Sequence, residues 1–186
     1  MKIQDIQKLY AMLPQAGAIQ KIQKDKSIRT VFLQGLVASA APMFFASIAE
    51  RWKTTTVFVL NDNDEAGYFY NDLAQIMGKE QVMFFPSSYR RAVKYGQHDP
   101  ASEILRTEVL ATLSAKESSD THNKQALFIV SYPEAIAEMV VSKQLISDKV
   151  VKVAVSQVID LVELRKRLLE LGFNECDYVY EPGQFA

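Results

Sequence analysis

From residue 30 onwards, short runs of β-branched and aromatic residues alternate with helical stretches, and few architectures accept that order. Thr30-Val31-Phe32-Leu33 is followed by an apolar helix over residues 42–52, and a β-branched run over 54–60 by a helix over 65–77 that stops at Gly78. Val82-Met83-Phe84-Phe85 halts at Pro86, and a long loop leads to a helix capped by Asp99. Pro100 sits in its first turn, where a missing N–H is no loss. That helix carries Ile104, Leu105, Val109, Leu110 and Leu113 on one face. Residues 126–130 form another apolar run, and Pro133 opens a short helix. Strand and helix in repeated alternation predict an open parallel sheet with helices on both faces and right-handed crossovers. Ahead of it, Ile3, Ile6, Leu9, Tyr10 and Leu13 mark a helix closed by Pro14, with a second short helix over 15–27.

After residue 145 the pattern changes, dividing the chain into a helical segment (1–27), an α/β domain (28–145) and the start of a smaller α+β domain (146–186). Residues 150–155 are β-branched. Asp160 and Glu163 form a capping pair for a helix with Leu161, Leu164, Leu168 and Leu171 as its buried stripe, and Gly172 is its left-handed stop. Residues 177–180 predict another strand. Pro182-Gly183 is a turn signal, and Gln184-Phe185-Ala186 looks like the opening of a further strand, so a piece of a longer protein is expected.

The chain has 186 residues, 48% hydrophobic and 23% charged, with a formal net charge of -1. Nothing global attracts nucleic acid or an anionic membrane, so any such contact needs a local patch. The single cysteine, Cys176, excludes an internal disulfide. No apolar signal core opens the chain, and the apolar stretch from Leu36 to Ala49, broken by Ser39, Pro42 and Ser47, falls short of the roughly 20 residues a span requires. A cytoplasmic protein with no membrane partner is expected.

A phosphate-binding P-loop reads Gly-x-x-x-x-Gly-Lys-Ser/Thr between strand and helix. Its glycines let backbone N–H groups wrap the phosphates, its lysine neutralises them, and its hydroxyl holds magnesium. Here the frame reads Gly35-Leu36-Val37-Ala38-Ser39-Ala40-Ala41-Pro42. The first glycine is present, but Ala40 stands at the second glycine, Ala41 at the lysine and Pro42 at the hydroxyl. A degenerate loop of this kind has neither cation nor metal ligand, and no hydrolysis is expected from it; no catalytic residue, metal or cofactor is assigned to the chain. A turn glycine after a strand is the simpler reading of Gly35 alone.

Other candidates are weaker. Asn61, Asp62, Asn63, Asp64 and Glu65 lack the glycine and distal glutamate of a calcium loop and read as a turn with a helix cap. His98 and His122 have no second ligand for zinc, and Cys176 has no histidine near it in sequence. Ser39 lies in no Gly-x-Ser-x-Gly element. The loop over residues 87–98 interleaves Tyr89 and Tyr95 with Arg90, Arg91 and Lys94, a composition suited to nucleic-acid or phosphate contact, although a solvated loop is the default. A nucleic-acid-binding α/β module is therefore the alternative function.

Val31-Phe32-Leu33-Gln34-Gly35-Leu36 with Ser39-Ala40 resembles the opening strand and loop of the transcription-repair coupling factor (Mfd) family. Phe84-Phe85-Pro86-Ser87-Ser88 and Ile104-Leu105-Arg106-Thr107-Glu108-Val109-Leu110 resemble its third strand and the helix after the long loop. The tail, Leu168-Leu169-Glu170-Leu171-Gly172-Phe173 and then Asp177-Tyr178-Val179-Tyr180-Glu181-Pro182-Gly183-Gln184-Phe185-Ala186, is similar to the Gly-Tyr/Phe and Gly-x-Phe elements shared with the excision-repair subunit UvrB. The resemblance implies a RecA-like, P-loop-NTPase-like fold of the UvrB domain 1a kind, then the start of an insert domain that recruits UvrA. Tyr180, Gln184 and Phe185 become candidate partner-binding residues. UvrA contact would lie mostly beyond residue 186, so weak or no binding by this chain alone is expected. RNA polymerase, double-stranded DNA, ATP and magnesium would belong to further domains of an ATP-driven DNA translocase. About a dozen residues separate Pro86 from Asp99, too few for the long aromatic hairpin with which UvrB clamps DNA.

Overall fold

The computed structural model describes residues 2–25, 27–49, 54–89, 99–118, 126–140, 142, 151, 153–180 and 183–186. Two short helices open the chain, α1 (Ile3–Ala11) and α2 (Pro14–Lys24). Pro14 not only ends α1 but begins α2, where its fixed φ suits the first turn. Then follow α3 (Ala40–Ile48), β1 (Thr55–Val59), α4 (Asn63–Met77), β2 (Val82–Phe84), α5 (Pro100–Ser118), β3 (Leu127–Ser131) and α6 (Pro133–Ala137).

The three strands form a parallel sheet in the order β1-β3-β2. Central β3 is buried along its whole length, as expected of a continuous apolar run covered on both sides. Its alternate residues feed two cores. Phe128 and Val130, with Val82 and Phe58, pack against Ala46 of α3 and against Ala66, Leu73 and Ala74 of α4. Leu127 and Ile129, with Met83, pack against Val109 and Leu113 of α5. Helices therefore cover both faces of a parallel sheet, the arrangement of a generic Rossmann- or RecA-like α/β fold. A further layer comes from α1 and α2, where Tyr10, Ala16 and Ile19 meet Phe44 and Ile48 on the outer side of α3. The Gln7 side-chain amide donates to the carbonyl of Ala46 at 3.0 Å.

The helix signals are honoured. The Asp62 carboxylate accepts the Glu65 amide at 2.9 Å, which makes the acidic run a cap. Among the described residues, no group of His, Cys, Asp and Glu is placed to hold a metal, and no helix is long and apolar enough to cross a membrane.

Three strand expectations are corrected. Thr30-Val31-Phe32-Leu33 forms no ladder: Phe32 is 86% exposed, while Leu33 and Leu36 lean on the α1–α3 layer. β-Branched residues favour a strand only where a neighbour supplies pairing and packing. The described residues of 150–155 form no strand either, and Val155 is fully exposed. In the tail, residues 177–180 form no strand, and the pairing falls instead on β4 (Asn174–Glu175) with β5 (Gln184–Phe185), in parallel. Gly183, with a φ of 90°, turns the chain into β5.

Before β4 lies α7 (Leu161–Glu170), capped by the Asp160 carboxylate, which accepts the amides of Val162 at 2.8 Å and Glu163 at 3.2 Å. Its stripe is narrower than expected: Leu164, Leu168 and Leu171 are half-buried, whereas Leu161 is 75% exposed. The stop at Gly172 is as expected. With a φ of 89°, Gly172 donates to the Leu169 carbonyl and Phe173 to the Leu168 carbonyl, both at 3.0 Å, the paired bonds of a Schellman cap. Gly172→Ala is expected to destabilise this unit by about 1–2 kcal/mol, the cost of a Cβ in left-handed backbone, measured by urea unfolding.

Candidate functional site

The degenerate loop lies ahead of the α3 N-terminus, as a phosphate cradle would, but no strand leads into it. Gly35 has a φ of 89° and Ala38 one of 49°, so the backbone bends twice before the helix. Ser39 occupies the cap position, yet its hydroxyl does not bond back to the helix amides. It donates to the Asp72 carboxylate of α4 at 2.6 Å. Ala40 and Ala41 form the first helical turn with Pro42, which is fully buried. The residue standing for the hydroxyl is thus a packing residue, and the Ser39 hydroxyl is held by a carboxylate, whose charge repels phosphate. A cavity of about 520 Å³ opens beside the loop, lined by Tyr10, Leu13, Phe32, Gly35, Ala40 and Phe44 among others. No lysine or arginine is among the described residues lining it. Among the described residues lining the cavity, no cationic side chain is placed to compensate developing phosphoryl charge.

A second constellation lies at the carboxyl ends of β2 and β3, the edge at which open α/β sheets bind ligands. Its centre is Arg106, on α5 and 6% exposed. One guanidinium nitrogen, Nη1, donates to the carbonyls of Pro86 at 2.7 Å and Ala135 at 2.9 Å and lies 3.3 Å from Glu138. The guanidinium also stacks over the Phe85 ring, 4.2 Å from its centroid. Its other terminal nitrogen, Nη2, is buried with no hydrogen-bond partner among the described residues. Glu138 accepts both Ser87 and Ser88: the Ser87 hydroxyl, the Ser88 amide at 3.0 and 3.1 Å, and the Ser88 hydroxyl at 2.9 Å. The Ser87 amide donates to the Tyr132 hydroxyl at 2.8 Å, and the Ser131 hydroxyl to the Phe85 carbonyl at 2.7 Å. The Phe-Phe-Pro-Ser-Ser run and the Arg-bearing helix, distant in sequence, are joined by one buried network.

Burial pushes the Glu138 carboxyl upward, but the bonds from Ser87 and Ser88 and the Arg106 charge outweigh it and hold the group below its usual range. A depressed folded-state value means stability that is fully present above the ordinary value of 4.5 and lost as pH falls through the lower folded value. Acid unfolding curves should show this loss below about pH 4.5, and Glu138→Gln should flatten it. An unchanged acid limb would contradict the assignment.

Sequence reasoning did not single out Glu138 or Arg106 as a pair. The available signal was Arg106 itself, set at helical spacing with Val109 and Leu113 in the stripe that packs on the sheet. Ile104, expected on that stripe, is 50% exposed.

Of the basic and aromatic loop, Tyr89 is 48% exposed, while Arg90, Arg91, Lys94 and Tyr95 lie outside the described residues. The loop is closed at its base, because the Asp99 amide donates to the Ser88 carbonyl at 2.7 Å. In the tail, Tyr180 is 85% exposed and its amide donates to the Gln184 side-chain oxygen at 2.9 Å, so these two candidates are neighbours. Phe185 is half-buried in β5, and its carbonyl accepts the Cys176 amide at 3.0 Å. Arg165 of α7 grips Glu175 of β4 with two bonds, at 2.8 and 2.7 Å.

No family model matches the chain. Over 161 residues, 87% of this chain, it is 21% identical to a transcription-repair-coupling factor of Bacillus subtilis (strain 168). The matched region spans 13% of that protein's length. The chain is thus remotely similar to a coupling factor, and a match of that length in a 186-residue chain takes in the degenerate loop.

Proposed function

We propose that this chain is the non-catalytic, UvrB-like front region of a transcription-repair coupling factor, a docking module in which a nucleotide-binding fold serves as scaffold. In this reading residues 28–145 are the degenerate domain and residues from 146 begin the insert that recruits UvrA, with Tyr180, Gln184 and Phe185 at its contact surface. RNA polymerase, double-stranded DNA, ATP and magnesium engage other domains of the intact translocase. The observation that carries the reading is the loop at residues 35–42, whose lysine and hydroxyl positions are alanine and a buried proline ahead of a helix that packs on a parallel α/β sheet. The similarity to a coupling factor supports it.

Two measurements test it. The gene read past the codon for Ala186 should continue into an Arg-Gly strand, with helicase motifs far downstream. A polypeptide extended through that strand should then capture UvrA, and Phe185→Ala should weaken capture. Absence of both downstream features, or failure of the extended polypeptide to hold UvrA at low salt, would count against the reading.

A second reading, nucleic-acid contact through Arg90, Arg91 and Lys94, is supported by the basic and aromatic composition of the loop over residues 87–98. Salt-dependent binding of single-stranded DNA that falls on Arg90→Ala with Arg91→Ala is expected from it. Absence of binding at low salt would end it.

A further inference from the structure

We propose that the outer edge of β1 is a self-pairing edge, on which a second copy of this chain adds its own β1 as an antiparallel strand about Val57. Among the described strands, β1 pairs with β3 alone and so ends the sheet. The amide of Leu60 donates across to the Ser131 carbonyl at 2.9 Å. Because backbone groups alternate in direction along a strand, the N–H and C=O groups of Thr55, Val57 and Val59 point away from β3, to the open edge.

The side chains agree. Val57 and Val59 are 53% and 54% exposed, although their register partners, Ile129 and Ser131, are buried. The α5 layer covers the face as far as β3 and leaves β1 bare. Edge strands that stay single are guarded by lysine, proline, bulges or inward charges. Thr55-Thr56-Val57-Phe58-Val59 has none of these residue types.

The strand is also compatible with itself. Antiparallel pairing about Val57 sets Val57 against Val57 as a hydrogen-bonded pair and Thr55 against Val59, with no like charges opposed. In the sequence Arg51 and Lys53 precede the strand, and Asp62 and Asp64 follow it. An antiparallel pair therefore brings the basic flank of one copy to the acidic flank of the other, whereas a parallel pair sets like against like. A two-fold pair also closes, which limits growth to a dimer.

Sedimentation equilibrium of the full chain from low micromolar concentration upward tests this, with amide exchange read at Val57 and Val59. The expected result is a concentration-dependent dimer in which those two amides exchange more slowly as dimer accumulates. Val57→Lys opposes two cations at the axis and should leave a monomer with unchanged circular dichroism, while Val57→Thr should keep the dimer. A chain that stays monomeric throughout, or a dimer indifferent to Val57→Lys, overturns the proposal. Should Val57→Lys fail to fold, the exchange at Val57 and Val59 in the unaltered chain decides: no slowing with concentration overturns it.

Discussion

Arg106→Ala should lower the free energy of unfolding by about 3–5 kcal/mol, the usual penalty for removing one partner of a buried ion pair. The loss has three sources. Glu138 keeps its charge at neutral pH in a partly buried setting without its counter-ion. The carbonyls of Pro86 and Ala135 lose a donor at 2.7 and 2.9 Å. The Phe85 ring loses the guanidinium stacked on it at 4.2 Å. Arg106→Lys should recover only part of this, because an ammonium has no planar face to lie over the ring. A double replacement, Arg106→Ala with Glu138→Gln, should cost less than the sum of the two single changes, because the groups act as a pair. Additive losses in denaturant titrations, or an Arg106→Ala loss under about 1 kcal/mol, would contradict the network.

Phe128→Ala should be comparably severe, about 3–5 kcal/mol, for a different reason. Phe128 lies in the central strand, 1% exposed, with its ring 5.6 Å from that of Phe58. Phe58 in turn contacts Phe45 of α3 and Phe69 of α4, each at 4.9 Å between centroids. Truncation opens a cavity between a sheet and two helices whose backbones are fixed by the strand register, so collapse can fill it only partly. Thermal unfolding followed by circular dichroism should show a large fall in Tm. A fall of only a degree or two would mean that this core is loosely packed.

The parts of the fold that were legible in the sequence are those fixed by local chemistry. Leu127-Phe128-Ile129-Val130 reads as a strand because an unbroken apolar run needs cover on both faces, and the clusters with α4 and α5 supply it. Asp62 and Gly78 delimit α4, and Asp160 and Gly172 delimit α7, because capping chemistry acts within a few residues. What failed depended on distant partners. Thr30-Val31-Phe32-Leu33 has strand composition but no neighbour to pair with, whereas the polar Asn174–Glu175 pairs because Gly183 returns the chain beside it. Among site residues, the Gly35 bend follows from its own type, whereas the burial of Pro42 comes from the packing of α3. The Arg106–Glu138 link did not show, since 32 residues and an intervening strand separate them and no spacing rule joins them. A cation within an apolar stripe was the one trace it left.

Calorimetric titration of the 186-residue chain with ATP and magnesium, paired with an assay of phosphate release, bears most directly on the docking role. A loop that has Ala41 and Pro42 in place of cation and hydroxyl, with Asp72 bonded to Ser39, should give no heat of binding and no phosphate above the buffer rate. Saturable binding that disappears on Gly35→Val, accompanied by turnover, would mean that the scaffold still handles nucleotide.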